Sequence, residues 1–222
     1  VVGTGISLPG IVDPAGGRST TYLNFGDTPL RTIVSDRLGH PVHIDHDLEA
    51  MARGELWFGA AKEKKNVVCV NVGWGLGLGL IINKKVYYGN RGFAGEFGHL
   101  QIDPEGEICY CGKRGCLETM VSGKSIAAAA RTKMTEGVPT ILDKTAEGGH
   151  TIEAKDIILA AEQGDRFSID IIEEAARKLG YGLAQIINLL DPELVIFGGR
   201  ISEVDFFYHA AVSAAGKFSL RH

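Results

Sequence analysis

Four side chains stand at spacings that suit one tetrahedral metal ion: His99, Cys109, Cys111 and Cys116, in the pattern H-x9-C-x-C-x4-C. Three thiolates and an imidazole together select zinc over harder cations. Gly106, Gly112 and Gly115 supply the bends that let one loop wrap the ion. Four protein ligands close the coordination sphere, so the expected zinc is structural and keeps no open position for hydrolytic chemistry. The remaining cysteine, Cys69, sits alone in a strand-like run and reads as core. A second metal site from His43, His46 and the neighbouring aspartates is not expected, because adjacent residues at a strand end lack a distant partner.

A second chemical feature is a run of glycines. Gly73, Gly75, Gly77 and Gly79 recur at period two, so in a strand they would line one face and leave it bare. A bare face admits another backbone or a phosphate, while Val72, Trp74, Leu76, Leu78 and Leu80 would fill the other side.

These groups need elements to hold them. Strands are predicted over 1–8, 42–44, 67–72, 76–82 and 194–197, with Asn83-Lys84 turning the fourth run into a strand over 86–88. Apolar residues at Leu30, Ile33, Val34 and Leu38 predict a helix ended by Gly39. Further helices are predicted over 48–61, with Asp47 as N-cap, and over 125–134, 154–163 and 165–190, the last stopped by Asp191-Pro192. The polar stretch 13–27 reads as loop or edge structure, and 93–118 as a loop carrying the metal ligands. Strands alternating with helices argue an α/β fold.

A net charge of -4 argues against a nucleic-acid surface within these 222 residues, since such surfaces need clustered Lys and Arg. Residues 67–82 are apolar but too short for a membrane span, and Asn71 and the glycines interrupt them. Three cysteines crowded into eight residues fit metal-bound thiolates in a reducing cytoplasm better than a disulfide scaffold. The chain starts without Met, inside a strand-like run, and stops at Leu220-Arg221-His222 with no tail signal, so it is expected to be a piece of a longer protein.

Gly95-Glu96-Phe97-Gly98-His99, followed by Cys109-Tyr110-Cys111-Gly112-Lys113-Arg114-Gly115-Cys116-Leu117-Glu118, closely resembles the signature of the ROK family of repressors, open reading frames and sugar kinases. The likeness extends through 3–10, the glycine run, 89–98 and Gly198-Gly199. It implies an actin-like (ribonuclease H-like) ATPase fold, two lobes around a sugar cleft. Residues 1–46 would belong to an incomplete N-terminal lobe, and 47–222 to a C-terminal lobe carrying the zinc loop 95–118.

The resemblance also implies roles. Glu96, His99 and Glu118 match residues that hydrogen-bond sugar hydroxyls, and an ionised carboxylate that accepts from two adjacent hydroxyls reads their geometry. A histidine bound to metal through one ring nitrogen has the other fixed in place. Asp45-His46-Asp47-Leu48-Glu49-Ala50 aligns with a stretch E-N-D-A-N-A whose aspartate is the base in the kinases, which makes Asp47 the candidate base and His46 and Asp47 candidate sugar ligands. His46 and Glu49 depart from that pattern, each standing in place of an Asn.

In the kinases the glycine run is a phosphate motif, L-G-T-G-x-G, so Gly73, Gly75 and Gly77 would contact ATP and Mg in a kinase, but Trp74 replaces the phosphate-binding Thr. No other nucleotide-binding loop occurs in the sequence. The expected function is therefore the sugar-sensing domain of a transcriptional regulator, similar to the xylose and N-acetylglucosamine repressors. An ATP-dependent sugar kinase is the alternative. Expected partners are a sugar and a second copy in a homodimer or tetramer, with DNA reached only through an N-terminal domain outside this chain.

Overall fold

The computed structural model describes residues 1–21, 23 and 25–220; Tyr22 and Asn24 of the expected loop, and the final pair Arg221 and His222, lie outside the described residues. The elements in chain order are β1 (Thr4–Leu8), β2 (Val12–Asp13), β3 (Arg18–Ser19), α1 (Leu30–Leu38), β4 (Val42–His46), α2 (Asp47–Phe58), β5 (Val67–Val72), β6 (Leu76–Ile82) and β7 (Lys85–Val86). After a loop come α3 (Glu118–Val121), α4 (Gly123–Thr135), α5 (Leu142–Glu147), α6 (Ala154–Glu162), α7 (Arg166–Leu190), β8 (Leu194–Gly198) and α8 (Asp205–Phe218). The chain is mixed α/β. No described helix is long and apolar enough to cross a membrane.

The residues form two compact units: Val1–Cys69 with Leu78–Glu96 and Glu193–Ile196, and Val70–Gly77 with Phe97–Pro192 and Phe197–His222. In the first, β1 and β4 pair in parallel with Leu8 opposite His46, and β2 and β3 form a short antiparallel pair. Val12, Leu30, Val42 and Ile44 are buried together, packed by Ile6, Leu8 and Val34. This core sets the end of β4, where the acidic cluster begins. A second cluster of Ala52, Ala61, Val67, Cys69 and Ile81 seats α2. Cys69 is fully buried, as its sequence position suggests, and burial pushes its thiol up to about 12.

The larger sheet runs in the order β7-β6-β5-β8, with β6 and β7 antiparallel. Asn83 and Lys84 both adopt left-handed backbone (φ 52 and 62), the geometry a two-residue hairpin loop demands. In the second unit α7 buries Ile171, Ile172, Ala175, Ala176, Leu179 and Leu183, a stripe at helical spacing. Asp165 caps it by accepting from Ser168 N–H, and Asp191 ends it in left-handed conformation before Pro192.

Three expectations need correction. Helix α2 begins at Asp47, one residue early, and ends at Phe58. Asp47 is thus inside the first turn, and the N-cap is His46, with no side-chain cap bond. The glycine run is not one strand face: residues 73–75 form the bend between β5 and β6, where Gly73 N–H donates to Gly75 O at 3.0 Å. Trp74 therefore fills no strand face and is 77% exposed. Helices α3, α5 and α8 were not expected; α3 and α5 span only 4 and 6 residues, and all three lack a side-chain cap bond.

Candidate metal centre and ligand site

The metal loop begins where Phe97–His99 make a single 3-10 turn, with Phe97 and Gly98 buried and His99 at its end. The chain then doubles back on itself. Bridges join Gln101 to Cys116 and Ile108 to Arg114. Ile102 N–H and Asp103 N–H both donate to Gly115 O, at 2.8 and 3.2 Å. Gly115 has φ +62, and a Cβ there would lie 1.4 Å from Asp103 O, so no other residue lets Cys116 return beside His99. A tight turn follows, with Cys109 N–H on Lys113 O at 2.7 Å and Gly112 N–H on Cys109 O at 2.9 Å.

This folding brings all four predicted ligands together. One donor atom from each of His99, Cys109, Cys111 and Cys116 lies within 4.8 Å of the others. Cys111 Sγ and Cys116 Sγ are 3.6 Å apart, as are Cys109 Sγ and His99 Nδ1. Tetrahedral zinc with Zn–S bonds of about 2.3 Å sets its sulfurs roughly 3.8 Å apart, so the cage fits the ion. The cluster can hold a metal ion. His99 thus presents Nδ1 inward, and its Nε2 lies 3.0 Å from the Tyr110 hydroxyl. Burial pushes Cys116 up to about 12 and raises Cys109, whereas the Lys113 backbone N–H lowers the exposed Cys111.

Glu118 opens α3 two residues after Cys116. Its Oε2 accepts Leu76 N–H at 3.1 Å, at the start of β6, so this half-buried carboxylate is not a solvated surface charge. A Cβ on Gly75 would sit 3.0 Å from that oxygen, and one on Gly98 3.2 Å. Gly75 thus makes room for Glu118.

A second set of candidate groups lies in the first unit, at the junction of β4 and α2. Asp45 and Glu49 are 4% and 3% exposed. Asp45 meets the Arg53 guanidinium at 3.0 Å and accepts from the Tyr88 hydroxyl at 3.1 Å, and Arg53 also contacts that hydroxyl. Burial and the Asp45 charge push Tyr88 up to about 12. His46 Nδ1 is hydrogen-bonded to Glu49 Oε2, and its Nε2 faces Asp47 Oδ1 at 3.4 Å. Burial opposes charge on His46, but the Glu49 hydrogen bond and the charges of Glu49, Asp47 and Glu96 outweigh it and raise its pKa. Glu96 is exposed.

Arg53 and Tyr88 were missed from the sequence. One signal was available: Glu49 and Arg53 stand four apart on α2, so both face back toward β4. Gly79 explains how α2 reaches its place, since a Cβ there would come within 2.6 Å of Leu48 O and 2.9 Å of Ala52 Cβ. Its missing side chain lets the first turn of α2, and Asp47 with it, lie against β6. His43 is 62% exposed and 3.8 Å from Asp45, and among the described residues the Cys/His cage is the only grouping suited to a metal.

The ROK family model matches residues 1–221. A putative xylose repressor of Caldicellulosiruptor sp. strain Rt8B.4 is 37% identical over 207 residues, covering 91% of this chain and 51% of its own. A glucokinase of Streptomyces coelicolor is 38% identical over 213 residues, covering 91% and 66%. The crystal structure of a ROK family transcriptional regulator, a homologue of the E. coli MLC protein, superimposes with TM-score 0.88 at 33% identity, over 97% of this chain and 54% of that one. A ROK glucokinase from Streptomyces griseus, solved with glucose and AMPPNP, gives TM-score 0.79 at 32% identity over 92% and 68%. The chain spans about half the length of the repressors it matches and about two thirds of the glucokinases. By sequence and by its actin-like, sugar-kinase fold, this chain belongs to the ROK family.

Proposed function

We propose that this chain is the sugar-binding effector part of a cytoplasmic ROK transcriptional regulator of carbohydrate metabolism, with DNA contacted by a segment outside it. The observation that carries this reading is Trp74. It stands in the β5–β6 bend at 77% exposure, where the kinase pattern needs a hydroxyl for phosphate. An indole has only an N–H donor and no such hydroxyl. The higher TM-score to the ROK regulator, 0.88 against 0.79 for the glucokinase, supports the same reading.

In this proposal His46, Asp47, Glu96, His99 and Glu118 hydrogen-bond sugar hydroxyls. Residues 1–46 belong to the N-terminal lobe and 47–222 to the C-terminal one. A structural zinc in the Cys/His cage holds the 97–118 loop and with it the position of Glu118. The protein acts as a homodimer or tetramer, and the sugar shifts it between DNA-binding and released states by preferring one of them.

A kinase is the second reading, favoured by Asp47, whose side chain is 43% exposed at the start of α2 and open to a substrate hydroxyl. It would use ATP and Mg at Gly73, Gly75 and Gly77. One assay separates the two. Full-length protein is given ATP, magnesium and a panel of hexoses, pentoses and amino sugars, and sugar binding and sugar phosphate are both measured. The regulator reading expects binding without turnover; turnover that disappears in Asp47→Ala overturns it.

A further inference from the structure

Glu49 has no role in the functions discussed so far, yet it is one of the few charged side chains the fold buries, at 3% exposure. A buried carboxylate without a partner is costly, and the partner supplied is His46 Nδ1. The other nitrogen of the same ring faces a second carboxylate, Asp47, at 3.4 Å. A neutral imidazole carries one N–H and satisfies one of these oxygens; only the imidazolium offers a donor to each.

The surroundings of the ring agree with that charge. Helix α2 contributes Glu49 and Asp47, and Glu96 adds a third negative charge. Strand β1, which pairs Leu8 with His46, carries no charged residue. The cation on α2, Arg53, is taken by Asp45 and Tyr88.

We propose that Glu49 is a positioning residue that holds His46 as a two-donor imidazolium, Nδ1–H on Glu49 and Nε2–H toward Asp47, so that Asp47 meets its ligand as a paired carboxylate. A carboxylate in that pairing keeps its second oxygen for a ligand hydroxyl. The sugar-facing half of this inference rests on the proposed function; the state of His46 does not.

The test uses nitrogen-15 NMR of the full-length protein, following the His46 ring through a pH titration in the wild type and in Glu49→Gln. Both His46 nitrogens should carry protons at pH 7 in the wild type. The Glu49→Gln change should lower the His46 pKa by about 1 unit or more, as loss of an adjacent opposite charge does. In parallel, calorimetry with xylose, glucose and N-acetylglucosamine should show Glu49→Gln binding its best sugar about tenfold more weakly at pH 7, the scale of one charged hydrogen bond. The wild-type affinity should fall as pH rises through the His46 pKa. A wild-type His46 titrating at or below the ordinary value of 6.5 overturns the proposal even if Glu49→Gln fails to fold. So does a His46 pKa unchanged by Glu49→Gln. Absence of binding to every sugar would instead sink the sugar-sensing reading, with the His46 titration still deciding the role of Glu49.

Discussion

The metal loop and the β4–α2 junction hold their functional groups by opposite means. Between Phe97 and Glu118 the chain has one 3-10 turn, isolated bridges and three thiols gathered around His99. It is held by backbone bonds to Gly115 and by four side chains that converge on one point. At β4–α2 the order comes from a strand and a helix, and the charged groups are locked in pairs: Asp45 with Arg53 and Tyr88, Glu49 with His46. The first arrangement depends on its four candidate ligands and on Gly115, which lets the chain double back. The second makes each buried charge depend on its partner.

Breaking the cage should have the largest effect. Cys111 is exposed, so Cys111→Ser loses little packing and isolates the ligand contribution. Scanning calorimetry with metal analysis should show loss of zinc and a fall in Tm of about 10 °C. An unchanged Tm after verified metal loss would mean that the loop's own hydrogen bonds hold it, and the contrast between the two regions would collapse.

Asp45→Ala comes next. It strands Arg53, whose side chain is 32% exposed and therefore partly solvated, so the expected loss is about 2 kcal/mol in urea unfolding rather than the larger cost of a fully buried ion. A neutral result would show that the pairing at β4–α2 is dispensable. Gly79→Ala tests the packing beneath that junction. The added methyl group meets Leu48 O and should cost about 1–2 kcal/mol by pushing the start of α2 off β6.

Asp165 supplies the smallest change and a useful contrast, because its donors are neutral. Burial works against its ionisation, but Ser168, Thr140 and the Ile141 N–H outweigh it and hold the carboxyl below 3.8. A folded-state pKa below the unfolded value gives stability that is present above about pH 4 and lost as pH falls through the folded value. Asp165→Ala should therefore cost about 1 kcal/mol at pH 7 and progressively less in acid. A penalty that does not shrink in acid would assign the effect to packing.

The same contrast explains what could be read in the sequence. A set of candidate metal ligands shows itself by residue type and spacing, so the gathering of His99, Cys109, Cys111 and Cys116 is legible in the sequence, as are α1, α4, α6 and α7 with their periodic apolar faces. Pairings across elements leave no such mark. Arg53 and Tyr88 lie 8 and 43 positions from Asp45, and no local pattern joins them. The glycine run misled because period two implies a strand only where a strand exists; Gly73 and Gly75 shape a bend instead. Asp47 looked like a cap because Asp often is one, whereas β4 runs on through His46 and hands the chain straight to α2. Helix α8 begins without a side-chain cap and carries Gly216 near its end, so its boundaries are weakly signalled.

Under the proposed function, the metal loop serves sugar binding as well as stability. The most direct test is calorimetric affinity of the full-length protein for its best sugar, before and after chelation verified by metal analysis. The account predicts that removing zinc disorders the loop presenting His99 and Glu118 and weakens sugar binding at least tenfold. Sugar affinity unchanged after complete metal loss would contradict it.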